Sequence, residues 1–246
     1  MNILRPLLVS SFLLLLVGAG CSASKVAVST PPTLGGSKCD HPYYPLRVGT
    51  KMSYASSAKS ALRSSYSWEV TEVSGDHAKL AYHFSPTLTT VSDVTCTDGS
   101  LRMDSYINTA TASGNEQMTM KTLNASGQFL PRDLRVGSEW TNSYEVEATN
   151  TNPVAVRMGF GTTRMITTTT NKAIGEETVT VPAGTFTAIK VEMVNKTKTE
   201  LGAGKSPSAF EITSYAYFVR GKGLVKTETV SNGVTMSTEA MNITVP

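Results

Sequence analysis

An all-β, antiparallel domain is what this chain of 246 residues predicts, and three observations predict it. Apolar residues recur at every second position instead of at helical spacing. The alternating segments are divided by short turn sequences such as Ser74-Gly75-Asp76, Asp98-Gly99 and Asn232-Gly233. The last is the strongest hairpin signal in the chain. Beyond the N-terminal forty or so residues, no stretch carries a convincing helical stripe.

Residues 1–20 read as an export signal. Asn2 and Arg5 make a weakly positive start, Leu7 to Val17 is apolar except for Ser10 and Ser11, and Gly18-Ala19-Gly20 leads into Cys21. The run is too short to span a bilayer as a stable helix. A cysteine directly after small residues is the layout of a bacterial lipoprotein signal, in which cleavage precedes the cysteine and the cysteine takes the lipid. Gly18 stands where such signals usually carry Leu, and Gly18 with Gly20 also suits the ordinary secretory peptidase. The expectation is lipidation of Cys21 by several acyl chains (palmitate among them), which hold a protein stably where one chain does not. Ser22, in place of Asp, favours the outer membrane in a bacterium with two. Residues 21–38 are then the lipidated cysteine and a tether rich in Ser, Thr, Pro and Gly, too polar to bury a core.

The β-domain is expected over 39–246. Tyr66, Trp68 and Val70 alternate with Ser67 and Glu69, and Ala78, Leu80, Tyr82 and Phe84 oppose His77, Lys79 and His83, giving a hairpin with one wet face. Val94 and Cys96 run into Asp98-Gly99, after which Leu101 and Met103 resume. Met118 and Met120 come next, then Trp140, Tyr144, Val146 and Ala148 opposite Glu145 and Glu147, then Val154, Val156, Met158 and Phe160 on one expected strand face. Val179 and Val181 precede the turn Pro182-Ala183-Gly184, and Ile189, Val191 and Met193 follow it. Phe210, Ile212, Ala216 and Phe218 lie opposite Tyr215 and Tyr217, so that strand is expected to be covered on both sides. Leu46-Arg47-Val48-Gly49-Thr50 recurs as Leu134-Arg135-Val136-Gly137-Ser138. The recurrence suggests two similar lobes, 39–127 and 128–246, sharing one curved sheet or half-barrel or packing as a sandwich.

With Cys21 assigned to lipid, Cys39 and Cys96 are the remaining cysteines. In an oxidising compartment they are expected to pair, two separate buried thiols being the alternative. Two cysteines without nearby His or acidic partners make a poor metal set.

Several phrases together resemble a family of uncharacterised bacterial envelope lipoproteins. The first is Cys39-Asp40-His41-Pro42-Tyr43-Tyr44-Pro45-Leu46 with Gly49 and Tyr54, although Met52 stands where that family tends to carry Trp. The second is Thr180-Val181-Pro182-Ala183-Gly184-Thr185-Phe186 with Lys190-Val191, and the third is Tyr217-Phe218 with Gly221-Lys222-Gly223-Leu224-Val225-Lys226. The resemblance implies an antiparallel β-domain, related in shape to the half-barrels of the LolA and LolB lipoprotein carriers, and implies no activity. The phrases read as turns and strand ends, hence as markers of fold.

The remaining chemistry is thin. Gly202-Ala203-Gly204-Lys205-Ser206 lacks the first glycine of a phosphate loop and is followed by Pro207 and a strand, so it reads as a plain loop. His77 and His83 share a strand face but stand on the order of 20 Å apart. No Gly-x-Ser-x-Gly elbow is present, and neither Glu145 with Glu147 nor Glu176 with Glu177 makes a persuasive carboxylate pair. The formal net charge of +3 is scattered without a basic stripe, which argues against a nucleic-acid partner. Charged residues, at 17%, fall below the usual ~25%. The methionines at 118, 120, 158, 165, 193, 236 and 241 are expected either to fill the core or to line a concave apolar surface. No catalytic residue, metal site or cofactor is expected. The expectation is a non-enzymatic envelope lipoprotein, held to the membrane through Cys21, that binds an apolar ligand or lipid in a β-sheet cavity. The alternative is a structural module that docks another envelope protein without a cavity.

Overall fold

The computed structural model describes residues 37–56, 64–112, 118–201, 207–231 and 234–246. The expected signal 1–20, Cys21, the tether up to residue 36, the Gly202–Ser206 loop and the Asn232-Gly233 turn lie outside them. The described chain is β1 (Asp40–His41), β2 (Tyr44–Pro45), β3 (Lys51–Ser56), β4 (Ser65–Ser74), β5 (His77–Ser85), β6 (Leu88–Thr97), β7 (Ser100–Met103) and β8 (Asn108–Ala112). It continues through β9 (Met118–Gly127), β10 (Glu139–Asn150), α1 (Pro153–Arg157), β11 (Thr162–Val181), β12 (Gly184–Leu201), β13 (Ser208–Val219), β14 (Gly223–Ser231) and β15 (Val234–Thr244).

Apart from the small β1–β2 hairpin, these strands form one antiparallel sheet ordered β7-β6-β5-β4-β3-β15-β14-β13-β12-β11-β10-β9, with β8 on the free side of β6 beyond β7. The sandwich alternative thus gives way to a single sheet that curls into a nearly closed barrel. Its two edges meet at a seam. Leu101 and Leu130 exchange backbone hydrogen bonds of 2.9 and 3.1 Å. Further along, side chains replace a regular ladder: Asn108 Oδ1 accepts from Thr122 N at 2.8 Å and Thr109 Oγ1 from Met120 N at 2.8 Å. Closure of this kind removes the free strand edges that invite aggregation.

The hydrophobic core fills the barrel end at which the described chain begins. Met52, Tyr54, Trp68, Val70, Leu80, Val94 and Leu101 meet Ile189, Val191, Phe218 and Val225 there, all buried. The β1–β2 hairpin stops this end like a plug. Tyr44 stacks on Trp68 at 5.4 Å and meets Phe129 edge-on at 5.2 Å, a favoured aromatic arrangement, and Leu46 is fully buried beneath it. Cys39 and Cys96 are joined in a disulfide that ties the plug to β6. Arg47 pairs with Asp40 at 2.9 Å and donates to the carbonyl of Pro246 at 2.6 Å, bringing the last residue to the plug as well.

The Leu-Arg-Val-Gly recurrence has the same structure twice. Gly49 and Gly137 each adopt φ +90°, a region open to glycine and strained for other residues. Thr50 N bonds to Arg47 O at 2.9 Å, and Ser138 N to Arg135 O at 3.0 Å. Gly49 and Thr50 then pair with Val70 on β4, just as Gly137 and Ser138 pair with Ala173 on β11. A register shift follows at Val70/Glu72 in one copy and at Ala173/Gly175 in the other. The two copies thus share one turn, strand and bulge within a single sheet.

One expectation changes. The strand expected from Val154 to Phe160 is interrupted by α1, because Asn152-Pro153 is a helix start: the Asn152 carboxamide oxygen accepts from Val154 N at 2.9 Å and Ala155 N at 3.3 Å, with proline at the first helical position. The methionines singled out as core or concave lining mostly stand on the inner face beyond the core: Met118, Met120, Met165, Met193 and Met236 pair in register with Asn150, Ala148, Val146, Ser214 and Thr229. Met118, Met158, Met236 and Met241 are exposed, and Met193 lies at the core margin, while Met52 and Met103 are the buried ones. The strand expected to be covered on both sides is so from Ser214 to Val219, apart from half-buried Tyr215.

Candidate binding surfaces at the two ends of the barrel

An antiparallel meander sends alternate connections to opposite ends, so the molecule offers two different surfaces. At the plugged end a cleft of about 750 Å³ is lined by Asp40, His41, Tyr43, Arg132, Asp133 and Arg220, among others. His41 is 2% exposed. Its Nε2 donates to Pro131 O at 2.9 Å and its Nδ1 accepts from Tyr43 N at 3.1 Å, which sets the neutral tautomer. Burial pushes its pKa below the ordinary 6.5, against the opposing pull of the Pro131 and Arg132 backbone and of Asp133 and Asp40. With both ring nitrogens committed, His41 has no lone pair to offer a substrate or metal. Arg220 lies over the Tyr43 ring at 5.9 Å. The cleft therefore mixes unlike charges around a histidine that braces the plug.

The other two histidines sit on the outer face of β5, apart from this cleft. His77 pairs with Asp76 at 3.1 Å and His83 with Glu69 at 3.6 Å, both in solvent reach. Glu145 is taken by Arg164, and Glu177 by Lys190 at 2.9 Å. Among the described residues no three His, Cys, Asp or Glu side chains come together as a metal site. The phrases read as fold markers converge on building the structure. Gly221 N donates to Pro42 O at 2.7 Å, and Ala183 N to Ala240 O at 3.0 Å. On the outer wall Lys190 and Lys226 flank the Tyr217 ring at 5.3 and 5.7 Å while the Tyr217 hydroxyl donates to Glu228 at 2.6 Å.

Beyond the apolar core, the inner face turns polar. Asn171 Nδ2 donates to Asn142 Oδ1 at 3.0 Å, Asn142 Nδ2 to the Tyr106 hydroxyl at 2.7 Å, and Thr169 Oγ1 to Asn195 Oδ1 at 2.8 Å. Thr167 pairs with Thr197 at 3.0 Å and Ser214 with Thr229 at 3.0 Å. These cross-strand pairs form a belt whose polar atoms satisfy one another, as buried polar groups must. Sequence reasoning did not find it, since Thr167-Thr168-Thr169-Thr170-Asn171 is polar on both faces of its strand. The belt interrupts the continuous apolar lining a lipid cavity needs.

At the open end the pattern reverses. The ends of β5, β8, β10, β12 and β14 and the starts of β6, β9, β11, β13 and β15 all lie there by topology. Phe84, Met118, Val154, Phe210, Val234 and Met236 are exposed at or next to them. The plugged end shows Val48 and Val136, one from each repeat turn.

A family model described as DUF3108-like matches residues 50–241. No curated protein matches the sequence. Two solved structures share the fold. One, from Parabacteroides distasonis and described as a lipoprotein, is 15% identical with a TM-score of 0.56 over 83% of this chain and 99% of its own. The other, from Bacteroides fragilis and described as an exported protein with a YmcC-like fold, is 12% identical with a TM-score of 0.54 over 83% of this chain and 100% of its own.

Proposed function

The chain belongs to the DUF3108-like family, and from that premise we propose that it is a lipid-anchored, non-enzymatic envelope protein that acts by docking another envelope component at the open end of its barrel. Export and anchoring rest on the signal and Cys21, with support from the exported and lipoprotein descriptions of the fold neighbours and from a disulfide suited to an oxidising compartment. Ser22 supports the outer membrane as the site of anchoring. Palmitate labelling lost on Cys21→Ser tests the anchor.

One observation carries the docking reading. The interior is filled at one end and crossed by a self-satisfied polar belt beyond it, while large apolar side chains, Phe210, Val234 and Met236 among them, are exposed at the mouth of the open end. A carrier with an acyl-binding cavity, in the manner of LolA or LolB, needs a continuous apolar lining, which the belt interrupts. A non-enzymatic role is supported by His41, whose ring nitrogens both serve the plug. The test is a photo-crosslinking residue placed in cells at Phe210 or Val234, and at Val48 or Val136. Adducts at the open-end positions alone are expected; adducts at the plugged end alone would overturn the reading.

A further inference from the structure

We infer that the β10–β11 connection is a membrane-inserting tip, and that the component met by the open end is a lipid surface. The inference rests on the docking reading above and names its partner. Helix α1 buries no residue. Val154, Val156 and Met158 are 56%, 49% and 58% exposed, and Phe160 is exposed beside them. Successive helical residues turn by about 100°, so side chains two apart point to opposite sides. The tip thus carries apolar side chains on opposite sides, Val154 and Met158 on one and Val156 on the other, with Arg157 between them. A protein groove reads a single face of a helix, at i, i+3 and i+4. A lipid surface takes in a whole tip.

The backbone supports the same choice. In hydrocarbon an unpaired N–H or C=O is costly, and water is absent to repair it. The tip closes its own hydrogen bonds. Asn152 Oδ1 takes the N–H groups of Val154 and Ala155, and Val156 N donates to Asn152 O at 2.9 Å. Met158 N donates to Val154 O at 3.0 Å, Gly159 N to Val156 O at 2.9 Å and Phe160 N to Ala155 O at 2.8 Å, while Asn150 N closes the base on Gly161 O at 2.7 Å. Pro153 brings no N–H at all.

Charge and reach agree. Residues 150–164 contain Arg157 and Arg164 and no carboxylate; Arg164 is held by Glu145, leaving Arg157 at the tip to meet anionic headgroups. Phe210 of β13 and Val234 of β15 are exposed at the same end. Fully extended, the chain from Ser22 to Lys38 reaches roughly 56–61 Å. The longest strand, β11, measures about 66 Å along its own path and about 50 Å along the axis of a typically tilted barrel. A tether of that reach lets the open end touch the leaflet that holds the acyl chains of Cys21.

The test is flotation of the exported mature chain carrying Cys21→Ser with phosphatidylethanolamine vesicles, with and without phosphatidylglycerol. Co-flotation is expected, stronger with the anionic lipid, and falling about tenfold or more in Val154→Asp/Val156→Asp/Met158→Asp. Its melting temperature should match the parent, and the milder Val154→Ser/Met158→Ser pair gives the same reading if the triple variant folds poorly. Absence of flotation, or flotation indifferent to both variants, overturns the inference. A protein adduct at Phe210 in cells without flotation leaves the docking reading standing and removes the lipid. Neither adduct nor flotation removes both.

Discussion

Replacing Cys39 and Cys96 together by Ala removes the only covalent tie between the plug and the barrel wall found among the described residues. The bridge spans a sequence separation of 57. In the chain-entropy treatment, a loop of that size restricts the unfolded ensemble by about 4 kcal/mol. A domain near two hundred residues loses roughly 2–4 °C of melting temperature per kcal/mol, so the double variant should melt about 8–16 °C lower. Calorimetry of the exported Cys21→Ser chain, with and without the bridge, reads this directly. The native state should otherwise persist, because Tyr44 still stacks on Trp68 and Leu46 still fills the core. A shift of less than about 2 °C would refute the reasoning, showing that the plug holds the barrel shut through packing alone. A loss of folding altogether would equally refute the assignment of the effect to the unfolded chain.

Three further predictions follow from single residues. Thr50 Oγ1 is buried without a hydrogen-bond partner among the described residues, whereas its repeat counterpart Ser138 donates to Asp133 O at 3.1 Å; Thr50→Val should therefore raise stability by about 1 kcal/mol in denaturant titration, and a loss would reveal a partner for that hydroxyl. Asn171→Ala leaves Asn142 Oδ1 unpaired in the belt and should lower stability by about 2–3 kcal/mol, a cost that a merely solvated belt would not show. Burial keeps the folded pKa of His41 below 6.5, so across the window beneath 6.5 the unfolded chain binds a proton that the native chain refuses. The stability from this group is complete above pH 6.5 and is lost as pH falls through the lowered value. Melting temperature should thus fall between neutral pH and about pH 5, and the fall should be shallower in His41→Gln. Glu69, held below 4.5 chiefly by its Lys51 hydrogen bond, acts only at lower pH and leaves the window clear.

What was legible in the sequence follows from physics that is local. Tyr66 to Val70 and Ala78 to Phe84 alternate because one face is buried and the other wet, so their pairing could be read before any coordinates. The repeat turns were visible because Gly49 and Gly137 must adopt a positive φ. Barrel closure was not visible. Its seam depends on Thr122, Asn108 and Thr109 meeting across the sheet, and no periodicity records which edges meet. The belt was hidden for a related reason, since a strand polar on both faces has no register signal. Val154 to Phe160 misled because alternation and a five-residue helix look alike over so short a run, and the Asn152-Pro153 start was the cue that outweighed it. The open end was legible in part, through its methionine-bearing strands, while the exposed tip from Val154 to Phe160 was not, because exposure at a connection is a property of the assembled barrel.

Native mass spectrometry of the Cys21→Ser chain, exported and purified without harsh detergent, tests most directly whether the barrel acts from its surface or carries lipid within. The account predicts the mass of the protein alone, unchanged on adding envelope lipids, because the belt leaves no continuous apolar lining for an acyl chain. A reproducible excess that extracts as one lipid per chain would contradict it and restore the carrier reading.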